Sequence, residues 1–237
     1  MNGKNQMGYF SRRHLLKFSA GAVGTGVLTA GLSSKLAFPD KAVAQEDMTP
    51  DQALQGLMQG NQRFVNGKLE NPRRNLARLA EVAKSQKPFA AILGCADSRV
   101  PSEIIFDQGF GDLFICRIAG NVATPEEIGS LEFGTLVLGA KVIVVMGHKR
   151  CGAVEATIKG AQVPGQIASL LDAIRPAIKD SEGQTGDRLE NATKANVLYQ
   201  VEQLKKSPVL SELIQKDKLK IVGGYYDLDT RTVTMVS

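Results

Sequence analysis

Two unbroken apolar runs constrain the fold of this chain more than any other feature of its sequence. They are residues 89–93 (FAAIL) and residues 142–146 (VIVVM). Such runs are typical of strands that are buried on both faces of a parallel sheet, which helices must then cover. A length of 237 residues with 43% hydrophobic residues is enough to form a full core. We therefore expect an α/β fold with a mostly parallel β-sheet flanked by helices.

Each apolar run is followed by a glycine and then by a residue that can bind a metal ion. Cys95 follows the first run and His148 follows the second. Because ligand sites in open parallel sheets form at the carboxyl ends of strands, we expect these side chains at one edge of the sheet. Cys151 lies three positions after His148, close enough for both side chains to face one ion. Zinc binds thiolate and imidazole ligands, so the pattern predicts a zinc site.

The three cysteines of the chain have different surroundings. Cys116 lies in a third strand-like stretch, residues 113–118, and we expect it to be a buried small apolar side chain. A disulfide is the usual interpretation of cysteines in an exported protein. An odd number of cysteines and a long chain both argue against one here. A disulfide between Cys95 and Cys151 stays open as an alternative to metal binding.

Two segments around these residues resemble the signature of the β-class carbonic anhydrases. They are residues 95–99 (CADSR) and residues 148–152 (HKRCG). Residues 117–121 (RIAGN) and residues 196–197 (NV) are also similar to the family, and the resemblance extends over about residues 50–237. Lys149 departs from the pattern, because the family often has serine or threonine at this position.

The resemblance implies a carbonate dehydratase, an enzyme that reversibly hydrates CO2 to bicarbonate and a proton. It implies one zinc ion per chain, bound by Cys95, His148 and Cys151, and a catalytic dyad of Asp97 and Arg99 that orients a zinc-bound hydroxide. In some members the aspartate replaces the water on zinc and closes the site. Those members have a tryptophan in a bicarbonate-binding site near the subunit interface. The chain has no tryptophan, so we expect the open form.

The resemblance also implies a substrate-binding residue and an assembly. Gln108 is expected to donate a hydrogen bond to bound CO2 or bicarbonate, and the alternative is a solvent-facing residue in a turn. The smallest active unit is expected to be a homodimer with the active site at the interface, and dimers can assemble into a higher homo-oligomer.

Two other functions remain open at this point. One is a hydrolase of carbon disulfide or carbonyl sulfide, which would use the same fold, zinc and dyad. The other is a non-catalytic zinc or disulfide protein. The latter leaves Asp97 and Arg99 beside the first cysteine unexplained, because a structural zinc site needs no group that orients water.

Residues 1–44 have the order of parts of an export signal. Arg12 and Arg13 precede a weakly apolar run that is rich in glycine and alanine, and residues 42–44 (AVA) offer a cleavage site. The arginine pair resembles a twin-arginine signal. We expect one zinc-binding catalytic domain, residues 45–237, exported to the periplasm or another extracytoplasmic lumen and not embedded in a membrane. An uncleaved membrane anchor and a basic arm without function are the alternatives.

The net charge of +5 arises in this leader. Six of the 29 Lys and Arg residues, but only one of the 24 Asp and Glu residues, lie in residues 1–44. The rest of the chain is formally neutral, so we expect no nucleic-acid partner.

Overall fold

The computed structural model describes residues 48–236, and the predicted export signal lies outside the described residues. One five-stranded sheet forms the centre of the fold, with strands β1 (Ala90–Gly94), β2 (Leu113–Arg117), β3 (Val142–His148), β4 (Lys220–Tyr226) and β5 (Val233–Val236). Their order is β2-β1-β3-β4-β5. The first four strands are parallel, and β5 pairs with β4 in the antiparallel direction. The prediction of a mostly parallel sheet is confirmed.

Helices lie on both faces of this sheet. In the part of the chain that the structure describes, the α-helices are α1 (Pro50–Val65), α2 (Leu76–Val82), α3 (Ser102–Ile105), α4 (Pro125–Glu132), α5 (Gly152–Ile158), α6 (Ile167–Asp180), α7 (Arg188–Lys205) and α8 (Pro208–Gln215). A 3₁₀ turn (Ala119–Asn121) follows β2, and a π-helical turn (Phe133–Val137) extends α4. None of the helices among residues 48–236 has the length and apolar character needed to cross a membrane.

The two apolar runs form strands that are buried along their whole length. Side chains alternate between the faces, as the pleat of a strand requires. Ala91 and Leu93 pack on one face together with residues of α7 and α8, whereas Ala90 and Ile92 pack on the other face together with residues of α1. Burial of each large aliphatic side chain contributes about 1.5–3 kcal/mol, so this double coverage is the main source of stability of the sheet.

Helix α1 is fixed at its start and in its middle. Thr49 caps it, because its hydroxyl accepts a hydrogen bond from the Gln52 amide while the Gln52 side chain accepts one from the Thr49 amide. The buried Asn61 interrupts the apolar stripe of the helix. Its Nδ2 donates to the Ile105 and Arg231 carbonyls, and its Oδ1 accepts from the Val233 amide. A polar side chain therefore ties α1 to the loop before β5 and to β5 itself.

The carboxyl ends of β1 and β3 lie side by side. Gly94, the last residue of β1, pairs with Met146, two residues before the end of β3. His148 ends β3 opposite Tyr226 of β4. Gly147 has no room for a side chain, since an added Cβ would lie 2.6 Å from a methyl group of Val197 in α7. The sheet thus delivers the predicted metal ligands to one edge.

Candidate active site

The structure brings Cys95, His148 and Cys151 together. Cys95 follows β1 directly, His148 ends β3, and Cys151 is the N-cap residue of α5. Their ligand atoms all lie within 4.8 Å of one another, and all three residues are buried. Residues that are 56 positions apart in the sequence therefore form one group at the edge of the sheet, as their positions after the two strands predict.

The imidazole of His148 is prepared to bind a metal ion. Its Nδ1 lies 3.0 Å from the Lys149 carbonyl oxygen, which fixes the tautomer with the proton on Nδ1. Its Nε2 is fully buried and has no hydrogen-bond partner in the structure. A buried polar atom without a partner is costly unless a ligand satisfies it. The nitrogen atom and the two thiols are the donor set that zinc prefers, so these residues fit a zinc ion.

The two thiols of the group interact with each other, and no disulfide joins them. A hydrogen bond from Cys151 lowers the pKa of Cys95, and the same interaction raises the pKa of Cys151. The Gly120 amide donates a further hydrogen bond to the Cys95 sulfur at 3.3 Å. Negative charge is thus favoured at Cys95. Cys116, by contrast, is buried apart from the group, and burial raises the pKa of its thiol to about 11, as expected for a structural cysteine.

Asp97 and Arg99 form an ion pair beside the ligand group. Arg99 Nε donates to Asp97 Oδ1 at 2.9 Å, and Arg99 Nη2 donates to Asp97 Oδ2 at 2.7 Å. The hydrogen bond from the Arg99 side chain lowers the pKa of Asp97 to about 2. Oδ2 lies 3.8 Å from Nε2 of His148. The carboxylate is therefore ionised at neutral pH and adjacent to the three ligands without belonging to their group.

Arg117 holds the loop after β1 and Asn196 holds the turn after β2, and the sequence predicted a role for neither residue. Arg117 donates to the backbone carbonyls of Cys95 and Asp97. Asn196 Nδ2 donates to the Gly120 carbonyl at 2.8 Å, in the same residue whose amide contacts the Cys95 sulfur. The resemblance at residues 117–121 was the signal that could have identified this support, because it places an arginine and a glycine at the end of β2.

The hydrogen bonds of the Gln108 side chain are to residues outside the ligand group. Its Nε2 donates to the Phe106 carbonyl at 2.8 Å, and its Oε1 accepts from Arg73 at 3.3 Å. The alternative of a solvent-facing turn residue is wrong, because Gln108 is only 4% exposed. The structure records no hydrogen bond among the described residues between Gln108 and the Cys95–His148–Cys151 group, so its substrate role stays a prediction.

The geometry agrees with comparisons to known proteins. The sequence profile of the carbonic anhydrase family matches residues 90–233, more than half of the chain. The chain belongs to this family. The carbonic anhydrase 2 of Mycobacterium tuberculosis is 38% identical over 185 residues, which cover 76% of this chain and 89% of the relative. The carbonic anhydrase of Mycolicibacterium smegmatis is 36% identical, with the same coverage of the two chains.

Solved structures of β-carbonic anhydrases have the same fold and place the chain in the β class. The Coccomyxa β-carbonic anhydrase in complex with acetazolamide superposes with a TM-score of 0.61 at 25% identity, over 77% of this chain and 86% of that one. An Aspergillus fumigatus β-carbonic anhydrase gives a TM-score of 0.60 at 28% identity, over 67% and 80% of the two chains. The reaction of this carbonic anhydrase is the reversible hydration of CO2 to bicarbonate and a proton, with zinc as its cofactor.

Proposed function

We propose that Cys95, His148 and Cys151 hold the zinc ion and that Asp97 and Arg99 orient the water that attacks CO2. A zinc ion held by these residues would provide a nucleophile at neutral pH, because zinc lowers the pKa of a bound water from about 15.7 to about 7. Two thiolate ligands cancel the formal charge of the ion, so this site depends on its neighbours more than a site of three histidines does. Asp97 is the neighbouring group that can provide this support.

The arrangement of Asp97 carries this proposal. Arg99 holds both carboxylate oxygens, and Asp97 Oδ2 faces the ligand group at 3.8 Å from His148 Nε2. A carboxylate that is fixed in this way accepts a hydrogen bond from the attacking water and directs a lone pair of its oxygen toward CO2. Orientation of this kind is a large part of catalysis when the reactants are small.

We propose that the site is of the open form. The ion pair supports this form, since both oxygens of Asp97 already accept hydrogen bonds from Arg99, and binding to the metal ion would require the carboxylate to break this pairing. The absence of tryptophan from the sequence agrees with it.

Stopped-flow CO2 hydration by the purified protein, beside a zinc assay, tests the proposal. We expect fast hydration with about one zinc per chain, and a large loss on Asp97→Ala without loss of zinc. Fast hydration by Asp97→Ala would contradict the role of the dyad. Zinc without CO2 hydration by the parent would instead favour carbon disulfide or carbonyl sulfide as the substrate, so both are assayed in parallel.

We propose a homodimer or a higher homo-oligomer as the active assembly. Exposed apolar side chains on one turn support it, namely Phe133, Leu136 and Val137. A Sordaria macrospora relative of the same fold, at 21% identity and a TM-score of 0.64, is described as tetrameric. Light scattering coupled to size-exclusion chromatography measures the molecular mass of the assembly in solution. A Leu136→Glu variant is expected to shift it to that of the monomer, and a monomeric, fully active parent would contradict the proposal.

We propose that Gln108 contributes to substrate binding only in that assembly. Its burial at 4% exposure and its fixed amide support a positioned donor rather than a mobile surface residue. Gln108→Ala is expected to raise the KM for CO2 or bicarbonate while the zinc content stays the same. An unchanged KM in a protein of unchanged mass would contradict this role.

We propose that residues 1–44 direct export and are removed. The concentration of the net positive charge in this segment and the small residues at 42–44 support the proposal. The N-terminal sequence of the protein recovered from the extracytoplasmic fraction is expected to begin at Gln45. Replacement of both Arg12 and Arg13 by Lys is expected to retain the full-length chain inside the cell, and unimpaired export would contradict a twin-arginine route.

A further inference from the structure

Four charged side chains attach the short loop between two of the zinc ligands, His148 and Cys151, to a distant turn. Lys149 and Arg150 lie in this loop, and Asp227 and Asp229 lie in the turn between β4 and β5. We call these four residues the loop clamp. We propose that Asp229, acting through Arg150, is a positioning residue for the Asp97–Arg99 dyad and the ligand loop. This inference rests on the function proposed above and deepens it.

The contacts of Asp229 fix the direction of two cations. Arg150 Nη1 donates to Oδ2 at 3.0 Å and Arg150 Nη2 donates to Oδ1 at 2.6 Å, so the guanidinium binds both oxygens. Lys149 Nζ lies 3.0 Å from the same Oδ2. A two-point guanidinium–carboxylate pair restricts orientation as well as distance, unlike a single ammonium contact. The carboxylate of Asp229 therefore determines where the Arg150 side chain lies.

The acidic half of the clamp is itself held in place. Asp227 Oδ1 accepts hydrogen bonds from the backbone amides of Asp229 at 2.7 Å and Thr230 at 3.1 Å. Asp227 Oδ2 accepts from Lys149 Nζ at 3.0 Å. An aspartate that binds the amides of the following residues stabilises a turn. The turn thus presents Asp229 to Arg150 from a fixed backbone.

Arg150 connects the clamp to the dyad through its backbone. Its φ of 55° lies in the left-handed region, which a residue with a side chain adopts only where its surroundings impose it. In this conformation the Arg150 carbonyl accepts a hydrogen bond from Arg99 Nη2 at 3.2 Å. The same Nη2 donates to Asp97 Oδ2. If Arg150 relaxed, its carbonyl would turn and Arg99 would lose a contact that places the Asp97 carboxylate.

Stability alone does not account for this arrangement. The side chains of Arg150 and Asp229 are 51% and 54% exposed, and ion pairs at such positions contribute little to the free energy of unfolding. The effect of the clamp is therefore expected in the geometry of the site, where small displacements matter, and not in thermal stability.

The test compares Asp229→Asn with Asp229→Glu and with a matched control, Asp172→Asn, in the full zinc-loaded protein. Asp172 is also an exposed aspartate paired with an arginine, Arg175, but it lies on α6 away from the loop clamp. We measure kcat and KM for CO2 hydration, the rate of zinc transfer to a chromogenic chelator, and the melting temperature. Substitution of a residue that contacts a metal ligand typically lowers metal affinity or activity 10- to 100-fold. Asp229 acts on the ligand loop only through Arg150, so we expect a smaller fall in kcat/KM, about threefold to tenfold, for Asp229→Asn.

The other readouts separate positioning from a structural role. Zinc transfer to the chelator is expected to accelerate in Asp229→Asn by a factor similar to the fall in kcat/KM, while its melting temperature stays close to that of Asp172→Asn. Asp229→Glu, which retains the carboxylate, is expected to recover most of the loss. Arg150→Gln combined with Asp229→Asn is expected to be no worse than Asp229→Asn alone, since Asp229→Asn already removes the Arg150–Asp229 contact.

The inference is overturned if Asp229→Asn matches Asp172→Asn in both kcat/KM and zinc transfer, or if its effect and that of Arg150→Gln are additive. If Asp229→Asn is poorly folded, Arg150→Lys decides, because it keeps the charge but loses the two-point contact, and parent-like behaviour would overturn the inference. A parent without CO2 hydration would contradict the proposed function alone, since zinc transfer still tests the clamp.

Discussion

The two halves of the active site are supported by different forces. The half after β1, with Cys95 and Asp97, is held by hydrogen bonds from Arg117, Gly120 and, through Gly120, the buried Asn196. The half after β3, with two of the three ligands, is attached to the β4–β5 turn by the partly exposed charges of the loop clamp. Buried hydrogen bonds are little affected by salt, whereas exposed ion pairs are screened. The buried contacts of the first half, from the Gly120 amide to Cys95 and from Asn196 to Gly120, should therefore be less sensitive to salt than the loop clamp of the second half.

Loss of a ligand from either half gives the largest expected effect and is the strictest test that the halves form one site. Cys95→Ser and Cys151→Ser are each expected to abolish zinc binding and to lower kcat/KM by more than about 100-fold, because each removes a ligand. The zinc content and CO2 hydration of the purified variants check this. Cys116→Ser is the control and should keep its zinc. If one of these two variants kept its zinc, the cysteine replaced in it would not be a zinc ligand.

Asp97→Ala removes the carboxylate between the halves while it leaves all three ligands. We expect kcat/KM for CO2 hydration to fall about 100-fold, the cost of misplacing a reactant, with zinc unchanged. Single-variant kinetics and metal analysis measure this. If zinc were lost as well, Asp97 would support the ligands and not only the water.

Between pH 9 and pH 6.5 the activity should depend on one ionisation only, that of the zinc-bound water. The pKa of Asp97 is lowered to about 2 by Arg99, so Asp97 becomes protonated only as the pH falls through that value. Between pH 9 and pH 6.5 we therefore expect the activity to fall by no more than about tenfold per pH unit, as one bound water with a pKa near 7 predicts. The pH profile of kcat/KM measures the slope. A steeper fall would indicate that Asp97 moves onto zinc and closes the site.

Asn196→Ala removes the buried support of the first half. The Gly120 carbonyl would lose its partner, and we expect the free energy of unfolding to fall by about 1–3 kcal/mol. Urea unfolding of the zinc-loaded protein measures this loss. Asn191→Ala is the control, because its Nδ2 also donates to a backbone carbonyl from α7 but at the surface. If both variants lost the same free energy of unfolding, burial of the Asn196–Gly120 hydrogen bond would not explain its contribution to stability.

A change in salt concentration should also distinguish the two halves, and its effect is the smallest that we expect. Raising the ionic strength to about 1 M shortens the screening length to about 3 Å, so zinc transfer from the parent to a chelator should accelerate about twofold. Asp229→Asn should show a smaller acceleration, since it has already lost the Arg150–Asp229 ion pair and only the Lys149–Asp227 pair remains to be screened. Equal salt dependence in the two proteins would contradict the proposed difference between the halves.

The local sequence was sufficient to predict the sheet and the positions of the ligands. Uninterrupted apolar residues in β1 and β3 left burial on both faces as their best structure, and the structure buries every residue of both strands. Because parallel strands end at the same edge, Cys95 and His148 could be placed together. The burial of Cys116 followed from its apolar neighbours in the same way.

The particular contacts that support the site could not be predicted from the local sequence, because they join distant segments. Lys149 stands 78 positions before Asp227, and nothing in its local sequence indicates that an ammonium group there has a carboxylate partner. Asn196 and Gly120 are 76 positions apart. Gln108 lies between Asp107 and Gly109, a pattern typical of an exposed turn, yet the chain folds over it.

The position of Asp227 and Asp229 after β4 has a consequence for the biosynthesis of the enzyme. These residues leave the ribosome after every zinc ligand and after all four parallel strands. A nascent chain that has already brought Cys95, His148 and Cys151 together would still lack the contacts of Lys149 and Arg150 with this turn. Pairing between distant strands is slow, so the last segment to be synthesised decides when the site becomes rigid. We therefore expect metal bound before that moment to exchange faster than metal bound to the completed chain.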